Sequence, residues 1–152
     1  PLVVPFAWIM MAHPVLTAAR RIAGNWVFLY GGVALAAWDL FLDPLMVAQG
    51  NWTWVVTGAH VPFQPEIPLS NTFGWLLSGM FLIGVLHVIT PREKRKGGAT
   101  FVTTDTFLLW TLFSGFVGNL FFFSRPGVAF FAGGIFGIVL APYFFNRWLG
   151  RP

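Results

Sequence analysis

The sequence has no cysteine and few charged residues. Without cysteine, the chain has no disulfide, no thiolate nucleophile and no cysteine-ligated metal site. Charged residues make up 9% of the chain, whereas a soluble domain carries about a quarter. Hydrophobic residues make up 57% and aromatic residues 18% of the chain. The composition therefore predicts an integral membrane protein.

The basic residues are clustered rather than dispersed. One pair lies at positions 20–21, a second cluster at 92–96, and a third contains Arg147 and Arg151, while Arg125 lies apart. Basic residues in short connections mark the cytoplasmic ends of spans. They are not interleaved with aromatic residues as in a nucleic-acid-binding surface. We expect a lipid bilayer as a partner, and no nucleic acid.

Long apolar stretches indicate the spans. A bilayer is crossed by about 20 mostly apolar residues. We interpret an apolar stretch at 1–12, which is too short, as the end of a truncated N-terminal span that Pro14 and the arginine pair terminate. We predict an all-α, polytopic transmembrane helix bundle in a single domain, as a fragment of a longer protein. Its full spans are expected at roughly 22–42, 69–89, 104–123 and 128–145.

The positive-inside rule selects one orientation for these spans. If the basic loop 91–98 is cytoplasmic, the span before it runs inward and its predecessor runs outward. The last two spans then run outward and back, so that all three basic clusters lie on one side. Segment 44–68, which is rich in proline and contains two tryptophans, lies on the other side. It is predicted to be an interfacial loop.

Two aspartates, Asp39 and Asp43 (the carboxylate pair), interrupt the apolar run WDLFLDP. At positions i and i+4 of a helix they share one face, with Cβ atoms about 5–6 Å apart. Gly32 and Ala36 share that face, so the pair is predicted to face a neighbouring helix. A carboxylate in hydrocarbon costs about 2.5–3.5 kcal/mol on the insertion scale, which favours a functional role. Alternatively, Asp43 lies among the headgroups, paired with Arg125 or capping a turn.

The predicted topology brings other polar and aromatic residues to the depth of the carboxylate pair. Asn71 begins one span and Asn119 nearly ends another, both in the outer third of the bilayer. Two close carboxyl groups cannot both ionise easily, so one keeps a proton and can act as an acid. Such an acid can protonate an alkene, and aromatic faces can stabilise the resulting carbocation. The aromatic residues expected around this polar pocket are Trp38, Trp52, Trp54, Phe73 and Trp75.

Other site chemistries lack the residues that they need. The histidines are dispersed, and two aspartates without a histidine at ligand spacing suit few metals. The topology joins no Ser–His or Cys–His arrangement, and no glycine-rich loop is present to hold phosphate. We therefore expect no metal site.

Three segments occur in order as WDLFLDPLMV, NWTWV and IPLSNTFGW. They resemble the carotenoid biosynthesis membrane proteins that include the carotenoid 1,2-hydratases and bisanhydrobacterioruberin hydratases. The resemblance is strongest over residues 38–75, and PFAWIMM near the start is compatible with it. It implies an integral protein of the prokaryotic cell membrane that adds water across the terminal isoprenoid double bond of an acyclic carotenoid, without a cofactor. Glu66 stands where the family pattern leads us to expect glycine. It is either a third acid near the pocket or a solvated loop charge.

Spacing and depth then suggest roles for the individual residues. We expect Asp39 to donate the proton, Asp43 to be its electrostatic partner and Asn71 to orient water. Two alternatives stay open. One is an isoprenoid cyclase or a prenyl-transferring relative, although this sequence lacks the second acidic cluster that would bind Mg²⁺ for prenyl transfer. The other is a non-catalytic proton or solute carrier, or a carotenoid-binding protein. The residues predicted to bind substrate are Trp38, Trp52, Trp54, Phe73, Trp75 and Asn119.

Overall fold

The computed structural model describes residues 3–91 and 99–150, so positions 92–98 of the predicted basic loop (91–98) and Arg151 lie outside the described residues. The described chain is dominated by helices, which confirms the predicted all-α bundle. A 3-10 turn (Gly24–Trp26) precedes α2 and a π-helical turn (Gly118–Phe122) follows α4. Strands β1 (His60–Val61) and β2 (Gln64–Pro68) form a short antiparallel hairpin. The helices are α1 (Val3–Ile22), α2 (Val27–Ala48), α3 (Leu69–Ile89), α4 (Ala99–Val117) and α5 (Pro126–Trp148).

Four helical segments are long and apolar enough to cross a membrane, and they correspond to the four predicted spans. Large apolar side chains such as Phe81, Val88 and Ile138 lie on their outer surfaces, where they suit contact with lipid rather than with water. The four segments are Gly24–Ala48, Leu69–Ile89, Phe101–Phe122 and Pro126–Trp148.

The sequence predicts that two helices end at prolines, and both predictions are wrong. Helix α1 continues through Pro14 to Ile22, so it is a helix of 20 residues packed in the bundle. Helix α2 continues through Pro44, so the connection begins after Ala48 rather than at position 44. A proline is tolerated inside a membrane helix where neighbouring groups satisfy the backbone carbonyl that it leaves free.

Helices α2 and α3 make the most extensive helix–helix contact in the described chain. Glycine makes this contact close: a Cβ atom at Gly32 would overlap Met80 and the backbone of Leu76, and the Cβ position of Gly79 lies beside Gly32. Small residues at such a face allow two helices to approach closely. The approach places the carboxylate pair, farther along α2, beside the first turns of α3.

Arginines from separate helices meet at one end of the bundle, which we call the basic end. The Arg20 guanidinium caps α3 by donating to backbone carbonyls at its C-terminus, including that of Thr90 at 2.8 Å. Arg21 and Arg147 both lie over the ring of Phe101, at 5.1 and 5.3 Å from its centroid. Arg20, Arg21 and Arg147, which the sequence predicts on the same side of the membrane, thus lie at one end of the bundle. The opposite end, which holds the carboxylate pair, is called the site end.

Candidate functional site

A single side-chain amide joins the carboxylate pair. Asn71 Nδ2 donates to Asp43 Oδ2 at 2.6 Å and to Asp39 Oδ2 at 3.2 Å. An amide NH₂ group has two hydrogens, so one is available for each carboxyl group. Both aspartates are 1% exposed. The structure therefore brings together the three residues that the sequence placed in the catalytic role, at the interface of α2 and α3.

Two tryptophans of the connection after α2 (residues 49–59, the tryptophan loop) cover the pair. Trp52 Nε1 donates to Asp43 Oδ1 at 2.6 Å, and Trp54 Nε1 donates to the same atom at 3.3 Å. Asp43 therefore accepts hydrogen bonds from three N–H groups, those of Trp52, Trp54 and Asn71. Asp39 accepts one, and its Oδ1 is buried without a donor among the described residues. The two carboxyl groups therefore have unequal surroundings.

The charged residues near the hairpin pair with each other. Arg125, at the start of α5, forms an ion pair with Glu66 of β2, and both side chains are partly exposed. The alternative in which Arg125 neutralises Asp43 is therefore wrong, because Asp43 has amide and indole donors instead. Glu66 is thus a partly exposed ion-pair partner of Arg125, and a role for it as a third acid stays a prediction.

Three tryptophans cluster beside the carboxylate pair. The rings of Trp38 and Trp75 meet edge to face at 5.9 Å, and Trp8 stacks on Trp75 at 4.3 Å. Trp75 lies one helical turn after Asn71, so the cluster extends from the bridging amide into the bundle. Trp8 was not predicted as a site residue, because α1 was interpreted as a short tail that ended before Pro14. The PFAWIMM segment contains this tryptophan and was the available signal.

Two predicted substrate-binding residues lie apart from this cluster. Phe73 is 58% exposed on the surface of α3. Asn119 is buried at the site end, where its Nδ2 donates to Gly115 O at 2.9 Å. Among the described residues no hydrogen bond links Asn119 to the carboxylate pair. Substrate binding by these two residues stays a prediction.

The carboxylate pair forms a covered cluster rather than an open pocket. Two apolar grooves of about 650 and 680 Å³ lie elsewhere on the bundle, one between α2 and α3 toward the basic end and one between α4 and α5. Neither is lined by the carboxylate pair. A substrate that reacts at these carboxyl groups must therefore reach them through a movement of the residues that cover them.

A comparison with known families identifies the chain. A model of the carotenoid biosynthesis protein family matches residues 1–140, a range that includes every residue of the cluster. The chain belongs to the carotenoid biosynthesis protein family. The suspected resemblance is thereby confirmed, and the match extends well beyond residues 38–75, where the motifs were clearest. No curated protein and no solved structure matches the chain.

Family membership gives the protein a general role in carotenoid biosynthesis. It also agrees with the apolar helices, which indicate a membrane protein. Carotenoids are long apolar molecules, so an enzyme that acts on them must work where they dissolve. A buried pair of carboxyl groups at the end of an apolar bundle is then the feature that needs a chemical explanation.

Proposed function

We propose that this protein hydrates the terminal isoprenoid double bond of an acyclic carotenoid, without a redox cofactor, in a prokaryotic cell membrane. The observation that carries the proposal is the carboxylate pair, buried in a membrane helix, bridged by an amide and flanked by tryptophans. Hydration of an alkene needs a proton donor, a way to stabilise a carbocation, and a water molecule. The cluster offers a group for each.

The unequal surroundings of the two aspartates support different roles for them. The three N–H donors around Asp43 suit a carboxylate, because hydrogen bonds to an ionised acceptor are the stronger kind. Within the described part of the chain, Asp39 accepts from one donor, and its Oδ1 has no donor. A proton on that oxygen is available to a substrate. Asp39 is therefore the general acid, and the negative charge of Asp43 stabilises the positive charge that develops nearby.

The reaction balances with this one acid. The π electrons of the double bond take the Asp39 proton at one carbon, which leaves a tertiary cation at the other. In this proposal the indole rings of Trp38 and Trp75, which meet edge to face, stabilise such a cation. A water oxygen then bonds to the cationic carbon and returns a proton to Asp39, which gives a tertiary alcohol. Asn71 Oδ1 is the amide atom left to accept a hydrogen bond from that water.

The test is the pigment made by a lycopene-producing bacterial host that expresses the protein. We expect a more polar pigment heavier by one water, and its loss in Asp39→Asn. Asp105→Asn is the matched control, because it replaces a buried acid near the basic end, away from the pair, and should keep the product. Unchanged lycopene, with the protein present in the membrane, would count against hydration. Wild-type product from Asp39→Asn would refute the assignment of the acid.

The distribution of buried polar groups supports an enzyme rather than a carrier. A proton carrier needs polar groups through the depth of the bundle. Among the described residues, the buried polar side chains lie toward the two ends. Asp105, which accepts from Tyr143 at 2.6 Å, is near the basic end, far along the helices from the carboxylate pair. The buried residues of α2 between 27 and 37 are all apolar or glycine.

A further inference from the structure

Pro44 leaves one backbone carbonyl of α2 without its helical partner. In an α-helix the carbonyl of residue 40 accepts from the N–H of residue 44, and proline has no N–H. Leu40 is buried in the bundle. A buried carbonyl without a donor is destabilising, so another group must supply one.

Gln64 of the hairpin supplies the missing donor. Its side chain is fully buried, and its Nε2 donates to Leu40 O at 2.9 Å. A side chain from another element thus takes the place of the absent backbone N–H. The two residues depend on each other: the carbonyl is free because residue 44 is proline, and it is satisfied because residue 64 has an amide.

This hydrogen bond anchors the segment that covers the carboxylate pair. Leu40 follows Asp39 directly on α2, and Gln64 lies in the hairpin that follows the tryptophan loop. The hairpin has a second tie, the Glu66–Arg125 ion pair. That pair is partly exposed, whereas the Gln64 side chain is fully buried. The Gln64 bond is therefore the one of these two contacts that is shielded from water.

We propose that Gln64 is a positioning residue of the site. Its amide, bound to the carbonyl that Pro44 frees, holds the hairpin and the tryptophan loop over the carboxylate pair and so keeps the indole donors on Asp43. Release of this bond uncovers the pair and admits the end of an alkene substrate. The catalytic consequence rests on the proposed function, whereas the anchoring itself does not.

Two variants remove the same contact in opposite ways. Gln64→Leu removes the donor, while Pro44→Ala gives α2 its own N–H, which competes with the amide for Leu40 O. Since the chain has no cysteine, a Val61→Cys background reports on the hairpin: Val61 is 1% exposed, and its thiol reacts with a maleimide only when the hairpin opens. We expect each variant to raise the labelling rate about tenfold, as for loss of one buried hydrogen bond. The double variant should be no faster than the faster single variant.

Matched controls separate opening from unfolding. Pro142→Ala also replaces a proline inside a membrane helix and should leave the labelling rate unchanged. Val55→Cys, at 85% exposure, should label rapidly in every background. Pro44→Ala should change the melting temperature little, because the N–H of residue 44 replaces the Gln64 amide as donor to Leu40 O. An unchanged labelling rate in either single variant, or additive effects in the double variant, would overturn the proposal.

Pigment analysis of the same variants adds the catalytic readout. If hydration is the reaction, Gln64→Leu and Pro44→Ala should both lower the yield of hydrated pigment, and Pro142→Ala should not. If the wild-type protein makes no hydrated pigment, the proposed function fails and the labelling result still decides the role of Gln64. If labelling rises while the yield of hydrated pigment stays at the wild-type level, Gln64 is not a positioning residue for the reaction.

Discussion

The side-chain amide of Asn71 lies 2.6 Å from Asp43 Oδ2, across the interface between α3 and α2. This contact joins the beginning of one membrane helix to the end of another. It is possible because glycines on both helices let their backbones approach closely. The same amide reaches Asp39, so the geometry of both carboxyl groups depends on one side chain.

Replacement of Asn71 by alanine should therefore disturb folding and chemistry together. Both aspartates lose a donor in a buried setting, and a hydrogen bond to a charged group contributes about 1.5–3 kcal/mol. We expect a lower melting temperature in detergent and little or no hydrated pigment. Asn25→Ala, which alters an exposed asparagine, should change neither. A fully active and stable Asn71→Ala protein would show that the bridge is dispensable.

The two aspartates should respond differently to replacement by asparagine. At position 43 the new amide would direct N–H groups toward existing N–H donors, at a cost of about 1.5–3 kcal/mol for a lost charge-assisted bond. At position 39 an oxygen remains for Asn71, so the fold should persist while the acid is lost. Thermal unfolding of both variants measures the difference. Equal destabilisation would contradict the unequal roles that we assign.

The spans and the carboxylate pair were predictable because both depend on local pattern. Hydropathy and length locate the spans, and the i, i+4 spacing with Gly32 on the same face indicates that the pair faces a neighbouring helix. Trp8 was missed because Pro14 was interpreted as a helix stop, whereas a packed bundle accommodates it. Gln64 was missed for a different reason: its partner is a backbone carbonyl, which leaves no mark in the sequence. The pairing of Arg125 with Glu66 depends on loop geometry that topology does not fix.

Trp75 should matter for reaction rate as well as for folding, because its side chain is buried in the core of the bundle. It contacts both Trp8 and Trp38, and a cation over an aromatic face gains about 0.5–2 kcal/mol. Trp75→Leu should lower the rate of product formation by roughly 2- to 30-fold, which is this range of free energy converted to a rate factor. Trp75→Phe should keep most of the wild-type rate. Trp110→Leu is the matched control, since Trp110 is exposed on α4. Equal rates for the two leucine variants would remove Trp75 from the mechanism.

Arg20 should contribute to stability without contributing to the reaction. Its guanidinium donates to backbone carbonyls at the end of α3, at 2.9 Å from His87 O and 2.8 Å from Thr90 O. These carbonyls have no partner within the helix, and bonds from a charged donor to them contribute about 1.5–3 kcal/mol. Arg20→Gln should lower the melting temperature, while the protein that remains folded makes product at the wild-type rate per molecule.

The neighbouring Arg21 provides the matched comparison for Arg20. Its guanidinium lies over Phe101 on an exposed surface, where a cation–π contact contributes about 0.5–1 kcal/mol. Arg21→Gln should therefore lower the melting temperature less than Arg20→Gln, although both remove one positive charge from the basic end. Because the two variants change net charge equally, a difference between them reports the contacts that the Arg20 guanidinium makes, the capping hydrogen bonds and the one to His87 Nδ1 included. If both variants melt at the same temperature, charge at this end, rather than the cap on α3, is what stabilises the bundle.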